Sequence, residues 1–164
     1  MGMVIYLYRA TAGEVESFAA DADAVGETIF DNGVRDRVID FDKAWHALHF
    51  MLTGDAGRSA HPLTMLVTDD AHMLGTDERG FGGYWLIEPS AVRAFADALA
   101  AISDEALAAR YDPAAMVAND LYMSDYFEHE GSEGLSYIMQ WVPNLRSFSR
   151  AAADAGDYVI GVHG

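Results

Sequence analysis

The 164-residue chain begins and ends with strand-forming runs. Residues 3–8, Met-Val-Ile-Tyr-Leu-Tyr, and 158–162, Tyr-Val-Ile-Gly-Val, are continuous and rich in β-branched and aromatic residues, the composition of buried strands. Residues 84–87, Tyr-Trp-Leu-Ile, read the same way. A strand is not stable without partners, so the two ends of the chain are expected to meet in one sheet. Helical patterns fill the sequence between them without the regular strand–helix alternation of a doubly wound sheet. The expected fold class is therefore α+β: a small, mainly antiparallel sheet that includes the N- and C-terminal strands, packed against several helices, in a single domain over residues 1–164. A hydrophobic share of 51% and a charged share of 22% are those of a globular chain able to bury one sizeable core.

Helix punctuation is clear in several places. Thr11 and Glu14 have capping-box spacing, which predicts a helix over 12–22 burying Val15, Phe18 and Ala19. The acids from Asp21 to Asp23 oppose the macrodipole at its far end and predict an early stop. Asn32-Gly33 marks a turn. Residues 63–68 read as a short helix or strand, with the helix favoured because the run is short and followed by Asp69-Asp70. The Gly80-Phe-Gly-Gly83 cluster precedes a strand, whereas a dinucleotide fingerprint follows one, so a turn or bulge is expected there. Pro89-Ser90 opens an amphipathic helix carrying Val92, Phe95, Ala96, Leu99 and Ile102. Ser103 caps the next helix, Asp112-Pro113 starts a third, and Gly134 leads into another through Leu135, Ile138 and Met139. Leu145 to Ala155 form the last helix, ended by Gly156.

The most structured stretch is Asp40 to Gly54. Asp40 or Asp42 is expected to cap a helix in which Trp45, Leu48, His49 and Leu52 fall at i, i+3, i+4 and i+7, with Gly54 in the left-handed position that ends it. The segment Asp42-Lys-Ala-Trp-His-Ala-Leu-His-Phe-Met-Leu-Thr-Gly54 resembles the hallmark of the YfbM-like family of small bacterial proteins, a domain of unknown function. The family shape, Asp-Lys-x-Trp-x-x-Leu-His-Phe-x-Leu-Thr-Gly, is met at Asp42, Lys43, Trp45, Leu48, His49, Phe50, Leu52, Thr53 and Gly54. Further agreement lies in the opening Met-Gly-Met, in Pro62-Leu63, in Ser103-x-Glu105-x-Leu107, and in Gly156 before the last strand. The resemblance runs nearly the length of the chain and implies an α+β single domain with no established activity. The Trp85 strand and the acidic 120–133 stretch depart from the family pattern.

Candidate site residues come from two places. Asp42, His46 and His49 fall at i, i+4 and i+7, on one side of a helix, where an acid and two imidazoles can hold zinc, nickel or iron. The His pair is three apart rather than four, and no Glu lies between its members as in His-Glu-x-x-His. The bland reading makes His49 a core histidine on the Trp45 stripe with one hydrogen bond. Thr53 can bond the carbonyl four residues back, and as a nucleophile it would lack an independent oxyanion hole. Lys43 pairs with Asp40 or with an acid elsewhere. These six residues, Asp42, Lys43, Trp45, His46, His49 and Thr53, are the binding candidates, with no catalytic residue, metal ligand or cofactor assigned. The second place is a loop with Asp120, Asp125, Glu128, Glu130 and Glu133, interleaved with Tyr122, Tyr126 and Phe127. It lacks the EF-hand pattern, but aromatics ringed by carboxylates suit a basic partner segment.

Charge limits the partners. Twenty-six acids against ten bases leave a formal charge of -16, which repels phosphate backbones and anionic headgroups. No basic stripe hides in the average, so neither nucleic acid nor a membrane is an expected partner. No cysteine is present, which removes disulfides, thiol catalysis and Cys-based metal sites. The N-terminal apolar run has no charged region before it and is too short to span a bilayer, so a cytoplasmic address is expected. The functional expectation is a non-enzymatic protein-binding or accessory module, immunity-type in its logic, that engages a basic protein. The alternative is a small metal-dependent or hydrolytic enzyme with its pocket around Asp42, His46 and His49.

Overall fold

The computed structural model describes residues 2–75 and 83–164. Four antiparallel strands, β1 (Ile5–Ala10), β2 (Val38–Asp40), β3 (Tyr84–Ile87) and β4 (Tyr158–His163), form one sheet in the order β2-β1-β4-β3. The terminal strands are its two central members. Their pairing runs from Ile5 opposite His163 to Ala10 opposite Tyr158 and continues beyond the strands, where Val4 and Gly164 exchange backbone hydrogen bonds of 3.0 and 2.8 Å. The α+β expectation holds. Strand β2 lacks a sequence signature because it is only three residues long and none of them is fully buried.

Helices cover both faces of the sheet, not one. Side chains alternate along a strand, so Ile5, Leu7, Val159 and Trp85 face the larger core, and Tyr8, Ala10, Ile160 and Tyr84 face a smaller one. The smaller core is closed by α1 (Ala12–Ala20) and α2 (Asp23–Ile29) through Phe18, Val25 and Ile29. Double burial is why the terminal runs are continuously apolar instead of alternating. The capping box at Thr11 and Glu14 forms as read, and α1 stops at Ala20, but Ala19 is exposed and Val15 only half-buried. Glu14 has a second task. It accepts hydrogen bonds from Tyr8 and from Arg37, the latter at 2.7 Å, tying α1 to β1 and to the 3₁₀ turn Asn32–Arg37. Burial pushes its carboxyl pKa up, but the bonds from Arg37, Thr11 and Tyr8 outweigh that and bring it down to about 2.

The larger core is built by α3 (Trp45–Thr53), α4 (Pro89–Ala100), α5 (Asp104–Ala108), α6 (Pro113–Ala118), α7 (Ser124–Glu130), α8 (Ser132–Met139) and α9 (Val142–Ala155). Arginines join the helix ends. Arg146 donates to the Leu99 and Ile102 carbonyls at 2.5 and 2.7 Å and to Asp104 at 2.9 Å, while Arg110 donates to the Met51 and Leu52 carbonyls at 3.2 and 3.3 Å. Both satisfy carbonyls that a helix terminus leaves without intrahelical partners.

Two expectations fail here. Residues 63–68 form neither helix nor strand, although Leu63, Met65 and Leu66 are buried. Their polar backbone is satisfied from outside, by Trp85 Nε1–H on the Met65 carbonyl at 3.0 Å and by the Leu63 N–H on His61 Nδ1 at 3.0 Å, so the buried run needs no regular element. The 120–133 stretch is not a loop but mostly α7 and the start of α8, because Phe127 and Ile138 anchor both helices in the core. Residues 80–82 of the glycine cluster lie outside the described residues.

Gly161 shows how tightly the sheet is filled. It pairs with Leu7 on one side and Trp85 on the other, and a Cβ there would overlap the Trp85 indole. Gly161→Ala should therefore force Trp85 out of place and lower stability by about 1–3 kcal/mol. Urea unfolding monitored by circular dichroism would read this as a shifted midpoint with an unchanged m-value, and an unshifted midpoint would contradict the packing.

Candidate functional site

The site grows from the first turn of α3 and from the two residues that enter it. Asp40 Oδ1 accepts the Asp42 N–H at 3.1 Å, and Asp42 takes a left-handed φ of 46°. The helix begins only at Trp45, with Ala44 at its boundary and no side-chain cap. Neither Asp40 nor Asp42 caps it, and Asp42 does not share a helix face with His46 and His49. The cause is a residue distant in sequence. Tyr137 on α8 donates its hydroxyl proton to Asp42 Oδ2 at 2.6 Å and accepts the Lys43 N–H at 3.2 Å, so Asp42 is held outside the helix. Lys43 forms no ion pair with Asp40 or with any other acid among the described residues.

Trp45 is buried, and its Nε1–H donates to the Met3 carbonyl at 3.0 Å. Its ring stacks on His46 at 4.8 Å with planes 7° apart and on Tyr122 at 5.7 Å. The Tyr122 hydroxyl in turn accepts the Met3 N–H at 3.0 Å. The stack thus pins the N-terminal segment to α3. The Tyr122 N–H donates to His46 Nδ1 at 2.9 Å, which places the ring proton on Nε2, where it donates to the Ala56 carbonyl at 2.7 Å. Both nitrogens of His46 are engaged, and burial pushes its pKa down. His49 is fully buried, with Nε2 bonded to the Gly57 carbonyl at 2.8 Å and Nδ1 without a partner. Thr53 donates to the His49 carbonyl at 2.9 Å, and Gly54 ends the helix at a φ of 79°. The described residues hold no group of three or more His, Asp or Glu side chains arranged for a metal ion.

The aromatics of the acidic stretch meet this cluster through the same tyrosine. Tyr126 packs edge-on against Tyr137 with centroids 6.0 Å apart, and Phe127 lies 6.5 Å from it. Asp125 and Glu128 sit i, i+3 on the exposed side of α7, Asp120 and Glu133 are exposed, and Glu130 is half-buried. Tyr126 is 37% exposed among them. None of these five carboxylates forms an ion pair with a described residue. Elsewhere four arginines are paired with acids: Arg9 with Asp157 at 2.8 Å, Arg37 with Glu14 at 2.7 Å, Arg146 with Asp104 at 2.9 Å and Arg150 with Asp97 at 3.0 Å. Asp42 and the aromatics Tyr126 and Phe127 of the 120–133 stretch are thereby joined at Tyr137, a residue that sequence reasoning passed over. Its place on α8 marks it as half-buried, but no local pattern links it to an aspartate 95 positions away. Burial first, and then the bond to Asp42, raise its pKa to about 12, so it stays a donor.

The buried imidazoles predict a pH profile. Burial lowers the His49 pKa from its ordinary 6.5 to about 4 against the opposing pull of the Gly57 carbonyl. Between those values the unfolded chain binds the extra proton and the folded chain does not, so stability falls as pH drops. This group should contribute a slope of up to about 1.4 kcal/mol per pH unit. His46 and His163, also shifted down by burial, add to it in the same direction. Glu14 loses its contribution in a more acidic window, from 4.5 toward about 2. Urea titrations at pH 6.5, 5.5 and 4.5 should show the decline, and His49→Gln should flatten part of it. Identical slopes in the two proteins would place the His49 imidazole in solvent.

Comparison with known proteins agrees with this architecture. The family described as Domain of unknown function (DUF1877) matches residues 1–162. No curated protein matches the chain. Among solved structures, YfbM from Escherichia coli, described as a protein of unknown function, superposes with a TM-score of 0.71 at 21% identity, covering 98% of this chain and 99% of that one. At that identity the likeness concerns the fold. The chain belongs to the DUF1877, YfbM-like family, a domain whose function is unknown.

Proposed function

We propose that the protein is a non-enzymatic binding or accessory module, immunity-type in its logic, that engages a basic protein through the acidic, aromatic face of α7 and α8. The observation that carries this reading is that five acids without an ion pair among the described residues share one stretch with the partly exposed Tyr126. Four arginines elsewhere hold carboxylates within ion-pair distance, while Asp120, Asp125, Glu128, Glu130 and Glu133 have no such partner among the described residues. Unpaired carboxylates keep their field for an incoming cation, which speeds encounter and sets orientation. Tyr126, partly exposed and backed by Tyr137, supplies contact area at low entropic cost. The formal charge of -16 supports the same partner class and disfavours nucleic acid and anionic membranes. No helix of the described residues is long and apolar enough to cross a membrane. The reading includes a cytoplasmic address and a single domain over residues 1–164.

The alternative, a metal-dependent or hydrolytic enzyme around Asp42, His46 and His49, has less behind it. Both nitrogens of His46 are engaged, His49 is sealed in the core, and Asp42 is bonded to Tyr137.

Affinity capture at low salt from the cells that make the protein is the test. A basic protein should be recovered, and its binding should weaken with ionic strength. Triple replacement of Asp125→Asn, Glu128→Gln and Glu133→Gln should reduce that binding by about tenfold or more without changing the thermal midpoint. Recovery of no partner, or equal capture by the triple variant, would overturn the reading.

A further inference from the structure

A second constellation lies away from the Trp45 stack, between the 58–72 segment and β3. A cleft of about 380 Å³ opens there, within the range of small-molecule sites. Its floor is apolar and rigid. Met65 and Trp85 are almost fully buried, and the Trp85 Nε1–H holds the Met65 carbonyl at 3.0 Å, fastening the irregular segment to the strand. Its rim carries Arg58, His72, Thr68 and Glu88.

Each polar group on the rim has a distinct state. Asp69 Oδ1 accepts the His72 N–H at 3.1 Å and bonds His72 Nδ1 at 2.5 Å. One carboxylate therefore orients the imidazole and leaves Nε2 without a described partner. Arg58 has no ion pair or hydrogen bond with any described residue, yet it stands close enough to Asp69 to help His72 hold that carboxyl below its usual range. On a chain of charge -16, an unpaired guanidinium beside an anchored imidazole is a local exception. The Thr68 hydroxyl, next in the chain to Asp69, is shielded from solvent and bonded to nothing, which is costly for a buried polar group. Glu88 is the opposing charge. It is exposed, and its side chain makes no capping bond to α4. Asp69, by contrast, is already committed to His72.

We propose that this cleft binds a small organic acid, its carboxylate or phosphate held by Arg58 and His72 and its apolar body laid against the half-buried Val67, Leu86 and Ile87. The guanidinium presents a planar fork that suits either oxyanion. Asp69 holds His72 at Nδ1 and so leaves Nε2 for the ligand. Glu88 faces the same cleft and disfavours excess negative charge, so it sets an upper limit on affinity rather than supplying a contact.

The test uses phenyl phosphate and benzoate as probes, with benzyl alcohol as their neutral counterpart. Binding is read from tryptophan fluorescence and from the Trp85 indole N–H resonance of the full chain. At least one acid should saturate below about 10 mM and shift the Trp85 resonance ahead of those of the other tryptophans, while the alcohol should not. Arg58→Ala should weaken binding about tenfold or more, Arg58→Lys less, and His72→Ala several-fold. Glu88→Gln should tighten it. All three positions are exposed, so the variants should melt with the wild type. Failure of both acids to saturate, equal binding of the alcohol, or an Arg58→Ala protein that binds like the wild type would each overturn the proposal. If phenyl phosphate saturates and benzoate does not, the oxyanion is a phosphate, and the reverse result names a carboxylate. The experiment is independent of the acidic face on α7 and α8, so either reading can fail alone.

Discussion

Antiparallel pairing of β1 with β4 is the constraint on which the other contacts depend. It joins the two ends of the chain, and closing so long a loop is entropically costly, so the seam must be repaid by burial on both sides. Leu7, Gly161 and Trp85 meet on one face, and Tyr8, Ile160 and Tyr84 on the other. The seam also fixes where Met3 emerges. From there its backbone binds Trp45 and Tyr122, and the aromatic stack that follows is anchored to the sheet through the N-terminal segment. Trp85, held flat over Gly161, becomes the floor of the cleft beside β3.

The polar groups at the heart of the molecule serve structure. His46 and His49 close the segment after α3 by bonding the Ala56 and Gly57 carbonyls. Burial lowers the pKa of both rings against the pull of those carbonyls, and His46 must also keep Nδ1 unprotonated to accept the Tyr122 N–H. Groups without an ion pair among the described residues lie outside: the carboxylates on α7 and α8, and Arg58 near the anchored His72. A surface of one dominant sign can steer a large partner over distance, whereas a single guanidinium at a cleft acts only at contact.

Features that depend on neighbours in the chain were legible. The Thr11–Glu14 capping box, the Ser103 and Asp112 caps and the left-handed Gly54 and Gly156 all form where the spacing placed them. Strand β3 was read to the residue. Apolar runs were less secure, since a buried segment such as 63–68 can be satisfied by side-chain donors and stay irregular. Of the candidate site, the burial of Trp45 and the Thr53 bond to the His49 carbonyl follow from helical spacing. The aspartate at the mouth of α3 does not. Sequence proximity places it in the helix, and a tyrosine on α8 overrides that placement. The Asp69–His72 pair had a usable signal, an Asp three residues before a His at a turn.

By itself the sequence determined the fold class, most helix limits, the family and the excess of negative charge, because each is set by composition or by spacing within a few turns. Tertiary structure decided which groups are free to act. Whether a carboxylate is paired, whether an imidazole faces solvent or core, and whether Arg58 stands beside His72 or apart from it depend on contacts between segments far apart in the chain. Hydrogen-bond and ion-pair energies fall off within a few ångströms, so only the packed fold can assign them.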